Sequence, residues 1–201
     1  MHLDRKTCFT AGFVTAVLGA SPAYAHTFGA TGAGFVDGFG HPFGGFDHLL
    51  AMVTVGLWAV QAGGRAMWAV PLTFMGMMVF GGLLGLEGVP IPGIELGIAA
   101  SLMVLGSLVV FAFKPSLPLG MAIVGLFAIF HGHAHGAEMP EAGSPVLYAV
   151  GFVAATGLLH GTGIAAAVLS QRHQVWAKVS DWAIRSAGAA VAASGLFLIV
   201  S

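Results

Sequence analysis

Charge is the scarcest commodity in this 201-residue chain. Only 7% of its residues are Asp, Glu, Lys or Arg, against about 25% in a soluble domain, which excludes an ordinary water-soluble globule. Cysteine occurs once, at Cys8, so neither a disulfide framework nor a thiolate metal cluster can be built. The formal net charge is −1 and there is no basic patch or stacking array, so nucleic acid is excluded as a partner. A nucleotide-binding loop is also missing, which argues against direct ATP drive by this chain. What fills the chain instead is apolar: 57% of residues are hydrophobic, enough to make the lipid bilayer its expected surroundings.

The first 25 residues read as a targeting segment rather than as structure. Arg5 and Lys6 precede an apolar stretch, and Ala23-Tyr24-Ala25 supplies the small-x-small pattern of a cleavage site. Residues 1–25 are therefore expected to be a cleaved signal peptide, and residues 26–201 a single membrane domain. Six apolar segments follow, at about 44–60, 67–86, 94–113, 117–136, 146–170 and 179–200, each near the ~20 residues that span a bilayer. The joints between them carry Gly, Pro and Ser. The expected fold is all-α, a polytopic protein of six transmembrane helices. Arg65, Lys114, Arg172 and Lys178 lie in the first, third and fifth connections, whereas Asp37, Glu87, Glu95, Glu138 and Glu141 lie on the other face. The positive-inside rule then puts the odd connections in the cytoplasm and both termini in the periplasm, so the chain sits in a bacterial inner membrane.

Against this background the nine histidines stand out. Ionisable groups in apolar spans cost roughly 2.5–3.5 kcal/mol each and mark functional positions. Five of the nine fall in two short motifs, His41-Pro42-Phe43-Gly44-Gly45-Phe46-Asp47-His48 and Phe130-His131-Gly132-His133-Ala134-His135-Gly136-Ala137-Glu138. On one continuous helix His41, Gly45, His48 and Met52 would share a stripe, with Asp47 a quarter-turn away, placed to ligate or to hold the His48 ring. His131, His135 and Glu138 form a second stripe by their steps of four and three. His133 points the other way, as an accessory ligand or an interfacial residue. Imidazole with carboxylate is a ligand set for a divalent transition metal, and both motifs fall on the outer side of the membrane. His160, deeper in the fifth segment, is a candidate for the next step inward. His26, at the N-terminus left by cleavage, would join an α-amine to an imidazole as a further chelate. Met75, Met77 and Met78 read as core filler.

These motifs resemble the HupE/UreJ family of nickel and cobalt membrane transporters. The family pattern H-P-x-x-G-x-D-H-x-x-x-M-x-x-V-G is matched at His41, Pro42, Gly45, Asp47, His48, Met52, Val55 and Gly56. The pattern F-H-G-x-x-H-G-x-E is matched at Phe130, His131, Gly132, His135, Gly136 and Glu138. The resemblance extends over essentially the whole chain and implies Ni²⁺ import, with Co²⁺ as an alternative cargo, in support of hydrogenase or urease maturation. It implies no permanently bound cofactor, with the metal ion as cargo, and a capture site of His41, Asp47, His48, His131, His135 and Glu138. Spacing by itself names only a divalent metal, because any nitrogen and oxygen site favours Cu²⁺ over Ni²⁺. Rival readings from the residues are a metal-dependent intramembrane enzyme, a metal sensor, and a b-type haem carrier ligated by His48 and His131.

Overall fold

A computed structural model describes residues 34–139, 144–171 and 177–201. The expected signal peptide, His26, Glu141 and Arg172 lie outside the described residues. Among those described, every regular element is helical. A short helix α1 (Phe35–Gly40) and a 3₁₀ turn (His41–Phe43) lead into α2 (Phe46–Ala62). Then follow α3 (Ala66–Leu86), α4 (Ile94–Val110), α5 (Leu117–Ala137), α6 (Pro145–Gln171) and α7 (Ala177–Val200).

The helices begin and end where the local chemistry says they should. Pro118 occupies the first turn of α5 and Pro145 opens α6, positions where the missing N–H costs nothing. Gly63 (φ 76°) and Gly64 (φ 53°) make the turn from α2 to α3 in a left-handed conformation that side-chain-bearing residues avoid.

Four helices (α3, α5, α6 and α7) are long and apolar enough to cross a membrane, and the bent pair of α1 with its 3₁₀ turn and α2 would be a fifth. At 17 residues, α4 is shorter. Leu72, Phe80 and Leu83 of α3, Leu126 of α5, Leu158 of α6 and Phe197 of α7 face outward and are exposed. An apolar exterior of this extent belongs to a membrane protein, since it has no place in water.

One sequence expectation fails. The first motif does not lie on one continuous helix: the chain bends by 84° between Phe43 and Phe46. Gly45 is extended (φ −101°, ψ 114°) as the N-cap of α2. A Cβ there would come within 3.0 Å of both Asp47 Oδ1 and His48 Nδ1. The bend therefore lets the motif fold back on itself, and it moves His41 off the face that carries His48.

Small residues then hold the bundle together, as the glycine content suggests. The most extensive contact is between α3 and α5. A Cβ on Gly132 would collide with the Met78 carbonyl, and one on Gly85 with the His133 carbonyl. Gly56 of α2 and Gly163 of α6 similarly let those two backbones touch, and Gly106 of α4 sits against Gly188 and Ala192 of α7. At the opposite end from the histidine motifs, Arg185 pairs with Asp181 at 2.7 Å and donates to the Val110 carbonyl at 2.9 Å, closing the end of α4.

Candidate metal site

Four imidazoles from three elements converge at one end of the bundle. The ring centroid of His41, on the 3₁₀ turn, is 4.6 Å from that of His135 on α5. His135 is 4.1 Å from His48 at the start of α2, and His48 is 4.6 Å from His131, one turn deeper on α5. The four rings thus form a file, His41–His135–His48–His131. The outer end is exposed and the inner end is not: the Glu138 side chain is 53% exposed and that of His41 19%, whereas His135, His48 and His131 are buried, His131 completely.

Hydrogen bonding orients this file and leaves lone pairs free. Asp47 Oδ1 lies 2.9 Å from His48 Nδ1. The carboxylate accepts, so Nδ1 carries the hydrogen and Nε2 is the available donor atom. Ser101 Oγ of α4 donates its single proton to the Ile98 carbonyl at 2.6 Å and lies 2.7 Å from His131 Nε2. Having spent that proton, the hydroxyl accepts from Nε2–H, so the Nδ1 lone pair of His131 is free. His48 Nε2, His131 Nδ1 and both nitrogens of His135 are buried without a hydrogen-bond partner among the described residues. Buried polar atoms are ordinarily satisfied. Unpartnered nitrogens on three adjacent rings are a donor set whose chemistry suits a divalent transition metal.

At the mouth, one ligand atom from each of His41, His135 and Glu138 lies within 4.8 Å of the other two. His41 Nε2 is 3.8 Å from Glu138 Oε2, whose side chain is exposed. The Phe152 ring lies tilted against His135 at 4.2 Å and the Tyr148 ring edge-on to His41 at 5.8 Å, so α6 walls the file on one side.

All six residues singled out from the two motifs gather here. Asp47 Oδ1 is engaged by the His48 backbone N–H and ring Nδ1. His133 points away, as its spacing predicted, and its Nε2 lies 2.6 Å from the Val89 carbonyl, tying α5 to the α3–α4 loop. Met52 is fully buried in the core, and its carbonyl meets His160 Nδ1 at 2.7 Å. The perpendicular His48 and His131 rings are too close for a porphyrin to lie between them, which removes the haem reading. Ser101 escaped notice because a lone serine in an apolar helix reads as a small packing residue; its one signal was being polar at a buried depth. Phe152 and Tyr148 carried no signal distinct from that of other apolar positions.

Comparison with known proteins gives the same direction as the motifs. A family model described as "HupE / UreJ protein" matches residues 14–198. Protein HupE of Rhizobium leguminosarum bv. viciae is 44% identical over 173 residues, covering 85% of this chain and 90% of that protein. No solved structure matches.

Proposed function

The chain belongs to the HupE/UreJ family, hydrogenase and urease accessory nickel/cobalt permeases, and on that premise we propose that it imports Ni²⁺, with Co²⁺ as a second cargo, from the periplasm to the cytoplasm. The ion is captured by Glu138 and His41 at the mouth and handed to His135, His48 and His131, with Asp47 orienting His48. The observation that supports this reading is the file of imidazoles, which runs from an exposed carboxylate to a fully buried ring and has unpartnered nitrogens along it. A file of exchangeable ligands suits passage, because each hand-over keeps the ion coordinated without trapping it.

The direction rests on charge. Arg65 and Lys114 stand at the end of the bundle opposite Glu87, Glu95 and Glu138, and the positive end faces the cytoplasm. In this arrangement residues 1–25 are a cleaved export signal, the helices α2 to α7 make six spans, and both termini are periplasmic. At 1.5 Å per residue, α4 measures about 25 Å and reaches across the hydrocarbon core with its apolar flank Phe111–Phe113.

Uptake of radioactive Ni²⁺ at submicromolar concentration, in cells lacking their own nickel importers, tests the proposal. His48→Ala and His135→Ala should each abolish uptake at equal membrane expression, and excess Co²⁺ should compete. Background uptake by the unmodified protein would instead favour a metal-dependent enzyme or sensor.

A further inference from the structure

Along α6, Tyr148, Phe152, Thr156 and His160 recur every four residues and all are buried, so they form one stripe facing the bundle interior. The Phe152 ring packs against His135 at the outer file. His160 lies eight residues further on, two helical turns or about 12 Å along the axis. Its Nδ1 is 2.7 Å from the Met52 carbonyl of α2. A carbonyl only accepts, so Nδ1 bears the hydrogen and the Nε2 lone pair is free. That nitrogen is buried with no hydrogen-bond partner among the described residues, on a ring only 1% exposed. A histidine kept for packing alone would carry an uncompensated acceptor that an apolar residue of similar size avoids.

The surroundings of His160 point toward the outer file. The ring of Phe74, fully buried on α3, stands 5.2 Å from His160 at 87° to it, and 5.8 Å from His131. Phe74 is therefore the side chain between the deepest ring of the file and the next imidazole inward. One turn outward on α3, Met78 Sδ lies 3.7 Å from Thr156 Oγ1, which puts a thioether beside the same stripe of α6. The His160 backbone is fixed as well, because Gly56 brings α2 directly against its carbonyl.

Building on the permease reading, we infer that His160 Nε2 is an inner coordination point for the divalent ion, received from His131 past the Phe74 ring. A single imidazole holds a divalent ion less firmly than the group of His41, His135 and Glu138 at the outer end. Weak holding is what a point of onward release requires.

The test pairs radioactive Ni²⁺ uptake in cells with Ni²⁺ binding to the purified full-length protein, for His160→Ala and His160→Asn at matched membrane levels. Asparagine retains a donor for the Met52 carbonyl but lacks the second ring nitrogen, so it separates loss of a ligand from loss of the fold. His160→Asn is expected to melt at the temperature of the unmodified protein and to bind Ni²⁺ at the outer file with unchanged affinity. Its uptake should be slower by about tenfold or more. Uptake at the unmodified rate overturns the inference. So does an equal loss of binding, which would place His160 in the outer site, and so does failure of His160→Asn to accumulate, which would assign the ring a structural role. His135→Ala, run alongside, keeps the two proposals apart. If the unmodified protein takes up no more Ni²⁺ than His135→Ala, the permease reading itself fails. If His135→Ala loses binding and uptake together while His160→Asn loses uptake alone, both stand.

Discussion

Asp47 Oδ1 accepts two hydrogen bonds from the next residue, one from the His48 backbone N–H at 2.8 Å and one from its ring Nδ1 at 2.9 Å. A single carboxylate oxygen thereby fixes both the start of α2 and the tautomer of the ring that bridges His135 and His131. Partners of this kind orient a ligand and raise its basicity, and losing them typically costs 10–100-fold in metal affinity. Asp47→Asn should therefore weaken Ni²⁺ binding by about that range, while His48→Ala removes the ligand and should abolish uptake. Titration of the purified variants with Ni²⁺ checks the order. An Asp47→Asn protein as inactive as His48→Ala would make Asp47 a direct ligand.

Ser101 performs the equivalent service for His131 from a different helix. Replacing it with alanine leaves His131 Nε2–H unsatisfied at zero exposure, a loss of about 1–3 kcal/mol in stability. The ring would then be free to present the wrong nitrogen. Ser101→Ala is expected both to melt at a lower temperature and to take up Ni²⁺ more slowly at equal membrane level. Ser107 of α4, which donates only to the Met103 carbonyl within its own helix, is the control: Ser107→Ala should leave uptake unchanged. Slowing by both substitutions alike would reduce Ser101 to a packing residue.

Much of this was legible in the sequence, for identifiable reasons. The six apolar segments coincide with the helices α2 to α7 to within a few residues, because Gly and Pro at the joints stop a helix whatever surrounds it, although only four of these helices, or five counting the bent pair, are long and apolar enough to cross a membrane. Steps of four and three on α5 placed His131, His135 and Glu138 on one face and turned His133 away. The failure came at Gly44–Gly45, where helical spacing was extended across two residues that have no Cβ to hold a helix and that permit the 84° bend. Periodicity counts residues and does not see such a break. Ser101 and Phe74 were out of reach for another reason. Their roles come from neighbours 30 and 86 positions away in sequence, His131 and His160, and only the packing of helices brings them there.

Glycine positions on α3 and α5 separate packing from mere composition. Gly132 faces the Met78 carbonyl so closely that a Cβ would overlap backbone, which cannot move aside as a flexible side chain would. Gly132→Ala must push α3 and α5 apart, at a cost of at least the ~1–3 kcal/mol typical of overpacking, and should lower both accumulation in the membrane and melting temperature. Gly76, also on α3, has open space where a Cβ would stand, with nothing within 4 Å. Gly76→Ala should be neutral or stabilising, by up to about 1 kcal/mol from helix propensity. Thermal melting of the two variants in the same detergent decides. Equal destabilisation would mean that the close α3–α5 contact does not carry the stability assigned to it.

Glu138 differs from every other member of the site in being more than half exposed. A charged group at the mouth acts on the approach of the ion before it acts on its coordination. Exposed carboxylates raise the local concentration of a cation and speed its capture, an effect that salt weakens. Glu138→Gln keeps the size and an oxygen while removing the charge, and it leaves the buried rings of His135, His48 and His131 as they were. Half-maximal uptake should then need more Ni²⁺, while the maximal rate stays close to that of the unmodified protein. The salt dependence of uptake at low Ni²⁺ should become flatter. Glu87 and Glu95 stand at the same end of the bundle but outside the ligand cluster, so their glutamine variants should reproduce the change in salt dependence only weakly. A fall in maximal rate at unchanged half-saturation would contradict this, because it would mean that Glu138 works after capture, in the transfer along the file.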